Sequence, residues 1–126
     1  SEGYKNVIDD LVDKYINSIY SNTAIYPDLT ICIHNVVPPI KKEQHLHNEI
    51  PELPFSGSNK TRKDYVNYMN EKLLEKCSEM GFVFLNVYEN YCDTDGFLNF
   101  ELSDKNVHIG DPKYITSFIK TEFLRK

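Results

Sequence analysis

The sequence predicts an α/β fold in which helices surround a parallel sheet, with the element order α-β-α-β-α. Amphipathic segments, with apolar residues spaced three and four apart, alternate along the chain with short apolar runs rich in β-branched and aromatic residues. Such runs are typical of strands buried on both faces of a parallel sheet. Strands joined through a helix are expected to be parallel, with a right-handed crossover. The length of 126 residues suits a single domain, residues 1–126.

The first half of the chain predicts a helix, a strand and a long loop. Residues 6–20 have helical periodicity, and residues 29–37 form a nearly continuous apolar run that Pro38-Pro39 ends. Residues 40–59 are polar and proline-containing, which indicates a surface loop. The predicted buried stripe of the helix consists of Val7, Ile8, Leu11, Val12, Tyr15, Ile16 and Ile19.

The second half predicts a helix over 61–80, a strand over 82–88 and a last helix that reaches residue 124. Thr61 with Asp64 resembles a capping box, and Gly81 supplies the C-terminal cap. Between the strand and the last helix we expect a turn at 93–96, an extended piece at 97–102, and an N-cap at Asp111 followed by Pro112. The predicted buried residues of the two helices are Tyr65, Val66, Met69, Leu73, Cys77 and Met80, then Ile115, Phe118, Ile119 and Phe123.

Charge and cysteine content narrow the possible partners. The net charge is −5, and the basic clusters at 41–42 and 60–63 have acidic neighbours, which disfavours nucleic acid and anionic membranes as partners. No apolar run approaches the roughly 20 residues of a transmembrane helix. Three cysteines without a C-x-x-C pair indicate reduced, mostly buried thiols, and favour a cytoplasmic location. No residue pattern calls for a cofactor.

Two parallel strands do not complete a sheet, because strands with continuous apolar runs need neighbours on their edges as well as helices on their faces. The predicted helices cover faces but cannot pair strand edges. We therefore expect the remaining strands to come from an absent N-terminal segment or from a partner chain. The start at Ser-Glu-Gly without Met agrees with this expectation that the chain is a piece of a larger domain.

His108 and Asp104 are the strongest candidates for chemistry. They follow the last predicted strand and precede the last helix, and open α/β sheets bind ligands beyond the carboxyl ends of their strands. A histidine there can act as a general base, with the aspartate accepting its Nδ1–H. The alternative interpretation is a turn in which Asp104 caps the backbone and His108 packs sideways.

A family resemblance connects these residues to an activity. The motifs that carry it are Arg62-x-x-Tyr65-x-x-x-Met69-Asn70-x-x-Leu73, Gly81-Phe82-x-Phe84-Leu85-x-Val87, Asp95-Gly96-x-Leu98 and Leu102-Ser103-Asp104-x-x-Val107-His108-Ile109. In this order and spacing, with the strand that ends at Val36-Val37-Pro38-Pro39, they resemble the C-terminal part of the SGNH (GDSL-like) hydrolases, over roughly residues 6–124.

The resemblance implies part of a flavodoxin-like three-layer α/β/α sandwich and metal-free hydrolysis of esters. It implies that His108 is the general base and Asp104 its orienting acid, acting on a serine nucleophile. The chain departs from the family in having three residues between Asp104 and His108, where the family has two. It also contains no Gly-Asp-Ser motif and no Gly-x-Asn-Asp motif. We therefore expect the C-terminal portion of an SGNH-like ester hydrolase, with the serine supplied from elsewhere.

The alternatives are weaker or belong to another class. A non-catalytic α/β module that serves a larger assembly would fit the same elements. His45, His47 and Glu49 could hold zinc, although a solvated loop near a substrate cleft is the simpler interpretation. Asp93 and Asp95 faintly resemble a calcium loop but are more typical of a plain turn. His34 lies within the first apolar run and indicates a core histidine with its hydrogen bonds satisfied.

Overall fold

A computed structural model describes residues 3–44 and 57–124. They form a mixed α/β structure of helices and a two-stranded parallel sheet. In chain order the elements are helix α1 (Gly3–Thr23), strand β1 (Cys32–His34), helix α2 (Asn59–Met80), strand β2 (Val83–Leu85), the one-turn helix α3 (Tyr88–Tyr91) and helix α4 (Lys113–Phe123). Short 3-10 turns occur at Lys42–Gln44 and Phe100–Leu102.

The two strands pair in parallel, as predicted, with Ile33 opposite Phe84 in the register. Both strands are shorter than predicted, and side chains take over at their carboxyl ends, where Val87 donates its N–H to Asn35 Oδ1 at 2.9 Å. Val36 donates its N–H to Asn70 Oδ1 at 2.6 Å and accepts from Asn70 Nδ2 at 3.1 Å, so an amide of α2 takes the position of a neighbouring strand. With two strands in the described part of the chain, the larger flavodoxin-like sandwich stays a prediction.

The core consists of two apolar clusters. The first joins α1 and α2 to Ile33, with Phe84 packed against it. The second contains Leu85 and Val87, with Ile115 of α4 packed against it. Because successive strand residues point to opposite faces, Phe84 and Leu85 place α1 and α2 on one face and α4 on the other. The buried residues of the two clusters are Ile8, Val12, Ile16, Ile33, Leu73 and Cys77, then Leu85, Val87, Tyr91 and Leu98.

The predicted buried stripes are partly wrong. On α1, Ile8, Val12 and Ile16 are buried, but Val7, Leu11 and Tyr15 are 68%, 53% and 50% exposed. On α4, Ile119 and Phe123 are also exposed. In each helix the exposed apolar residues lie on the flank that no described element covers. Among the cysteines, Cys77 is buried and Cys92 is half-buried, but Cys32 is exposed, against the prediction.

At the two ends of α2, the predicted N-terminal cap is wrong and the predicted C-terminal cap is confirmed. Ser58 caps α2 by accepting the N–H of Thr61 at 3.1 Å, so the predicted Thr61–Asp64 capping box is wrong. Gly81 ends α2 as predicted, with a left-handed φ of 74°.

Two predictions near the last helix also change. Pro112 takes the N-cap position of α4, one residue later than predicted, while Asp111 Oδ1 accepts the N–H of Lys113 at 3.0 Å. The extended piece predicted at 97–102 is wrong beyond Leu98, which bridges Cys92, because the backbone then coils into the 3-10 turn. The turn at 93–96 is confirmed, with Gly96 N–H bonded to Asp93 O at 3.1 Å.

Candidate functional site

Residues 103–109 form a closed loop between the 3-10 turn and α4. Ser103 and Ile109 pair in an antiparallel bridge, and Gly110 donates its N–H to Leu102 O at 2.9 Å. A Cβ at Gly110 would lie 2.4 Å from Ser103 O, so only glycine allows the two ends of the loop to approach this closely. The base of the loop is therefore fixed by backbone contacts.

Asp104 organises the inside of the loop. Its Oδ1 accepts the backbone N–H of Asn106 at 2.8 Å and of His108 at 3.2 Å, and its own N–H donates to His108 O at 2.8 Å. Lys105 adopts a left-handed φ of 68°, the bend that lets three residues fit between the aspartate and the histidine. The spacing that departs from the SGNH pattern is thus compatible with contact between the two side chains.

The second carboxylate oxygen of Asp104 faces the imidazole. His108 Nδ1 lies 2.9 Å from Asp104 Oδ2, and the His108 and Asp104 side chains are 73% and 37% exposed. Burial raises the pKa of Asp104, but hydrogen bonds from the His108 ring and from the N–H groups of His108 and Asn106 outweigh it, so the pKa lies below its usual value. The ionised carboxylate favours the tautomer with the proton on Nδ1, which leaves a lone pair on Nε2.

No serine, threonine or cysteine side chain in the described ranges hydrogen-bonds to His108. Ser103, at the start of the loop, donates to Phe100 O at 2.6 Å and accepts the N–H of Lys105 at 3.0 Å. It is buried beneath the loop and already committed to these backbone groups. The sequence-predicted pair is brought together, but its nucleophile is not among these residues.

A second aspartate loop supports the turn interpretation of Asp93 and Asp95. Asp93 Oδ1 accepts the N–H of Asp95 at 2.8 Å and of Phe97 at 3.0 Å. Lys41 Nζ lies 3.0 Å from Asp95 Oδ2 and 3.6 Å from Asp93 Oδ2, and Lys63 donates to Asp95 O at 2.9 Å. Ammonium groups and backbone N–H groups thus occupy the oxygens that a calcium ion would need.

A buried amide pair at the carboxyl end of the sheet is a feature that the sequence reasoning missed. Asn35 is buried, accepts the N–H of Val87 at 2.9 Å through Oδ1 and donates to Val36 O at 2.8 Å. Together with Asn70 it fixes the backbone where both strands end. The polar Asn35 inside an apolar run was the available signal. Its neighbour His34 is half-buried, with Nδ1 next to Asn35 O, so it is less enclosed than predicted.

Residues 3–44 and 57–124 show neither a metal-ligand cluster nor a helix that could cross a membrane. No group of three or more His, Cys, Asp or Glu side chains there could hold a metal ion. The candidate zinc ligands His45, His47 and Glu49 lie outside the described residues. None of the helices in those ranges has the length and apolar character needed to cross a bilayer.

Comparison of the chain with protein-family models, with curated proteins and with solved structures gives no significant match.

Proposed function

We propose that this chain is the C-terminal portion of an SGNH-like ester hydrolase, with His108 as general base and Asp104 as its orienting acid. The observation that supports the proposal most is the 2.9 Å contact between His108 Nδ1 and Asp104 Oδ2. This contact orients the ring and holds the proton on Nδ1, so that Nε2 is free to accept a second proton.

The loop that carries the pair is anchored to the core. The Tyr91 hydroxyl, in a fully buried side chain, donates to Asp111 O at 2.6 Å and accepts the N–H of Tyr114 at 3.2 Å. These bonds attach the segment between the loop and α4 to the cluster that follows β2. A base held on a rigid support meets its substrate in one geometry, which catalysis requires.

In the proposed reaction, His108 Nε2 takes the proton of a serine hydroxyl as the serine oxygen attacks the carbonyl carbon of an ester. The resulting imidazolium is stabilised by Asp104 and returns the proton to the departing alcohol, leaving an acyl-serine. Water then repeats the sequence, with His108 again taking and returning the proton, and releases the acid. The serine and the groups that bind the oxyanion come from an upstream segment or from a partner chain that pairs the open sheet edge.

One observation favours the alternative, a non-catalytic α/β module. Asp93 makes the same hydrogen bonds to the backbone of its loop as Asp104 does, yet that loop has Phe97 where the other has His108. An aspartate at this position therefore stabilises the loop by accepting backbone N–H groups, even where no catalytic partner is present. In this alternative, Asp104 stabilises a turn and His108 is a surface residue.

Serine-directed labelling of the full-length protein that contains these residues tests the proposal. We expect a fluorophosphonate probe to label a serine, and His108→Ala to abolish both labelling and hydrolysis of p-nitrophenyl acetate. Val107→Ala is the matched control, because Val107 is the exposed neighbour of His108 in the same loop. Absence of labelling and hydrolysis in the wild-type protein would contradict the hydrolase proposal and support the module.

A further inference from the structure

The outer edge of β1 is open. Ile31 O accepts the N–H of Val83 at 2.8 Å, and Asn35 donates its N–H to Leu85 O at 3.0 Å. Because backbone groups alternate in direction along a parallel strand, the N–H and C=O groups of Cys32 and His34 point away from β2. No strand of the described ranges lies on that side, since the sheet order is β1-β2. Such a row of unpaired groups is a template for a further strand.

An apolar stripe of α1 flanks this edge on one face of the sheet. Val7, Leu11 and Tyr15 are four residues apart, so they form one line along the helix, and all three are exposed. Leu11 and Tyr15 also line an apolar cavity of about 280 Å³ that reaches His34 and Val36 at the end of β1. The stripe and the open edge therefore belong to one continuous surface.

On the opposite face, α4 presents apolar side chains as well. Ile119 and Phe123 are exposed, one and two turns after Ile115, which packs against the core. Helix α4 lies close to the sheet, because Ile115 packs against the cluster of Leu85, the β2 residue that pairs with His34 of β1. The open edge is thus flanked by apolar helix surface on both faces.

The packing of α1 and α2 indicates which segment fills this space. Both helices lie on the same face of the sheet, in one cluster with Ile33. Helix α2 carries the chain from β1 to its neighbour β2. Crossovers between parallel strands are right-handed in nearly all proteins. A right-handed crossover through α1, on the same face, places the strand before α1 on the other side of β1, which is the open edge.

We propose that this edge receives a third strand, parallel to β1 and apolar on both faces, from the polypeptide that leads into α1. The strand would accept from and donate to the backbone of Cys32 and His34. It would also cover the stripes of α1 and α4, which a strand with a single apolar face would leave partly uncovered. The proposal does not depend on ester hydrolysis, and it applies equally to a catalytic and a non-catalytic protein.

Amide hydrogen exchange in the full-length protein tests it. We expect the amides of Cys32 and His34 to exchange at least about a hundredfold more slowly than those of exposed loops, as amides inside a sheet do. The segment before α1 should be protected to a similar degree. Light scattering on the same sample shows whether the protein is a monomer, in which case the protecting strand belongs to the same polypeptide.

A proline substitution gives the matched test. Cys32→Pro removes an N–H that the third strand needs but that pairing with β2 does not use, and proline is tolerated at a free strand edge. We expect Cys32→Pro to speed exchange at His34, while the amides of Val83 and Asn35 stay protected. Cys32→Ala, which keeps the N–H, should leave exchange at all three unchanged.

Three results would overturn the proposal. One is fast exchange at Cys32 and His34 in the wild-type full-length protein. Another is protection that disappears on dilution, because the occupant would then be a second copy of the chain. The third is protection shared with a segment other than the one before α1. If Cys32→Pro does not fold, the exchange pattern of the wild-type protein and its dependence on concentration still test the third strand. Neither measurement depends on esterase activity.

Discussion

Two loops of this protein share one set of aspartate-to-backbone hydrogen bonds, and differ in the position of their left-handed residue and in the side chain of their fifth residue. In loop 93–97 and in loop 104–108, the first residue is an aspartate whose Oδ1 accepts the N–H groups of the third and fifth residues. In both, the aspartate N–H donates to the carbonyl of the fifth residue. Antiparallel bridges, Cys92 with Leu98 and Ser103 with Ile109, close the two loops.

The difference lies in the fifth residue and in the second carboxylate oxygen. Phe97 is 7% exposed, and the ammonium groups of Lys41 and Lys63 lie 5.5 Å and 5.0 Å from its ring centroid. His108 points to solvent, and Asp104 Oδ2 contacts its ring instead of a lysine. Hydrogen bonds to the backbone thus account for both aspartates, and the imidazole beside Asp104 Oδ2 makes the second loop a candidate site.

The largest expected effect is on ester hydrolysis, when His108 is replaced by phenylalanine, the residue at the equivalent position of the first loop. His108→Phe removes the base while it keeps the backbone bonds of the loop, so we expect hydrolysis by the full-length protein to fall by about 10³-fold or more. The midpoint of thermal unfolding should change little, because the side chain is exposed. Steady-state hydrolysis of p-nitrophenyl acetate and differential scanning calorimetry measure the two effects. Equal activity in His108→Phe and wild type would remove His108 from the reaction.

The corresponding change in the first loop should act on stability instead. Phe97→Ala removes a buried ring and leaves a cavity, so the free energy of unfolding should fall by about 3 kcal/mol. His108→Ala, at the equivalent and exposed position, should change it by less than about 0.5 kcal/mol. Urea denaturation of both variants provides the comparison. Similar losses in the two variants would mean that the loops are packed alike.

The two aspartates should contribute by similar amounts to the free energy of unfolding. Asp93→Ala and Asp104→Ala each remove the acceptor of two backbone N–H groups, so each should lower the free energy of unfolding by about 1–3 kcal/mol. Asparagine at either position keeps Oδ1 and should recover most of the loss. Urea denaturation of the four variants tests this. A large loss in only one alanine variant would show that the shared bonds do not have a shared role.

The smallest expected effect is on the pH dependence of stability. The pKa of Asp104 is lowered on folding, so its ionised form stabilises the folded protein above the unfolded value of about 3.9. This contribution is lost as the pH falls through the lower folded value, and exposure to solvent keeps it small. The difference in unfolding free energy between wild type and Asp104→Asn should therefore shrink below about pH 4. A difference that does not change with pH would contradict the lowered pKa.

The helices and the strand pairing could be predicted from the spacing of apolar residues, but the exposure of individual side chains could not. Helices α1 and α2 and the parallel pairing of β1 with β2 follow from the spacing of apolar residues. The exposure of Leu11 does not, because periodicity shows that a helix flank is apolar without showing what covers it. For the same reason, the apolar run around Cys32 predicted a longer and more buried strand than the described residues form.

The contact within the candidate site was predictable from two residues, but its geometry was not. Asp104 and His108 were expected to meet, and the left-handed backbone of Lys105 is what allows it at this spacing. A lysine gives no sequence signal for such a bend, whereas the left-handed residue of the other loop, at its fourth rather than its second position, is the glycine Gly96. The roles of Asn35 and Asn70 depend on contacts between distant segments, which the spacing of residues within one segment cannot show.

The central proposal is that Asp104 orients His108 as a base, in addition to accepting hydrogen bonds from the backbone of the loop. Asparagine at position 104 keeps the backbone acceptor, but its amide would donate to Nδ1 and force the proton onto Nε2. The most direct measurement is ester hydrolysis by full-length Asp104→Asn and Asp93→Asn, compared with wild type. We predict a loss of about 10³–10⁴-fold in kcat for Asp104→Asn and nearly unchanged activity for Asp93→Asn. Equal activity of the two variants would contradict the account and leave Asp104 with the same structural role as Asp93.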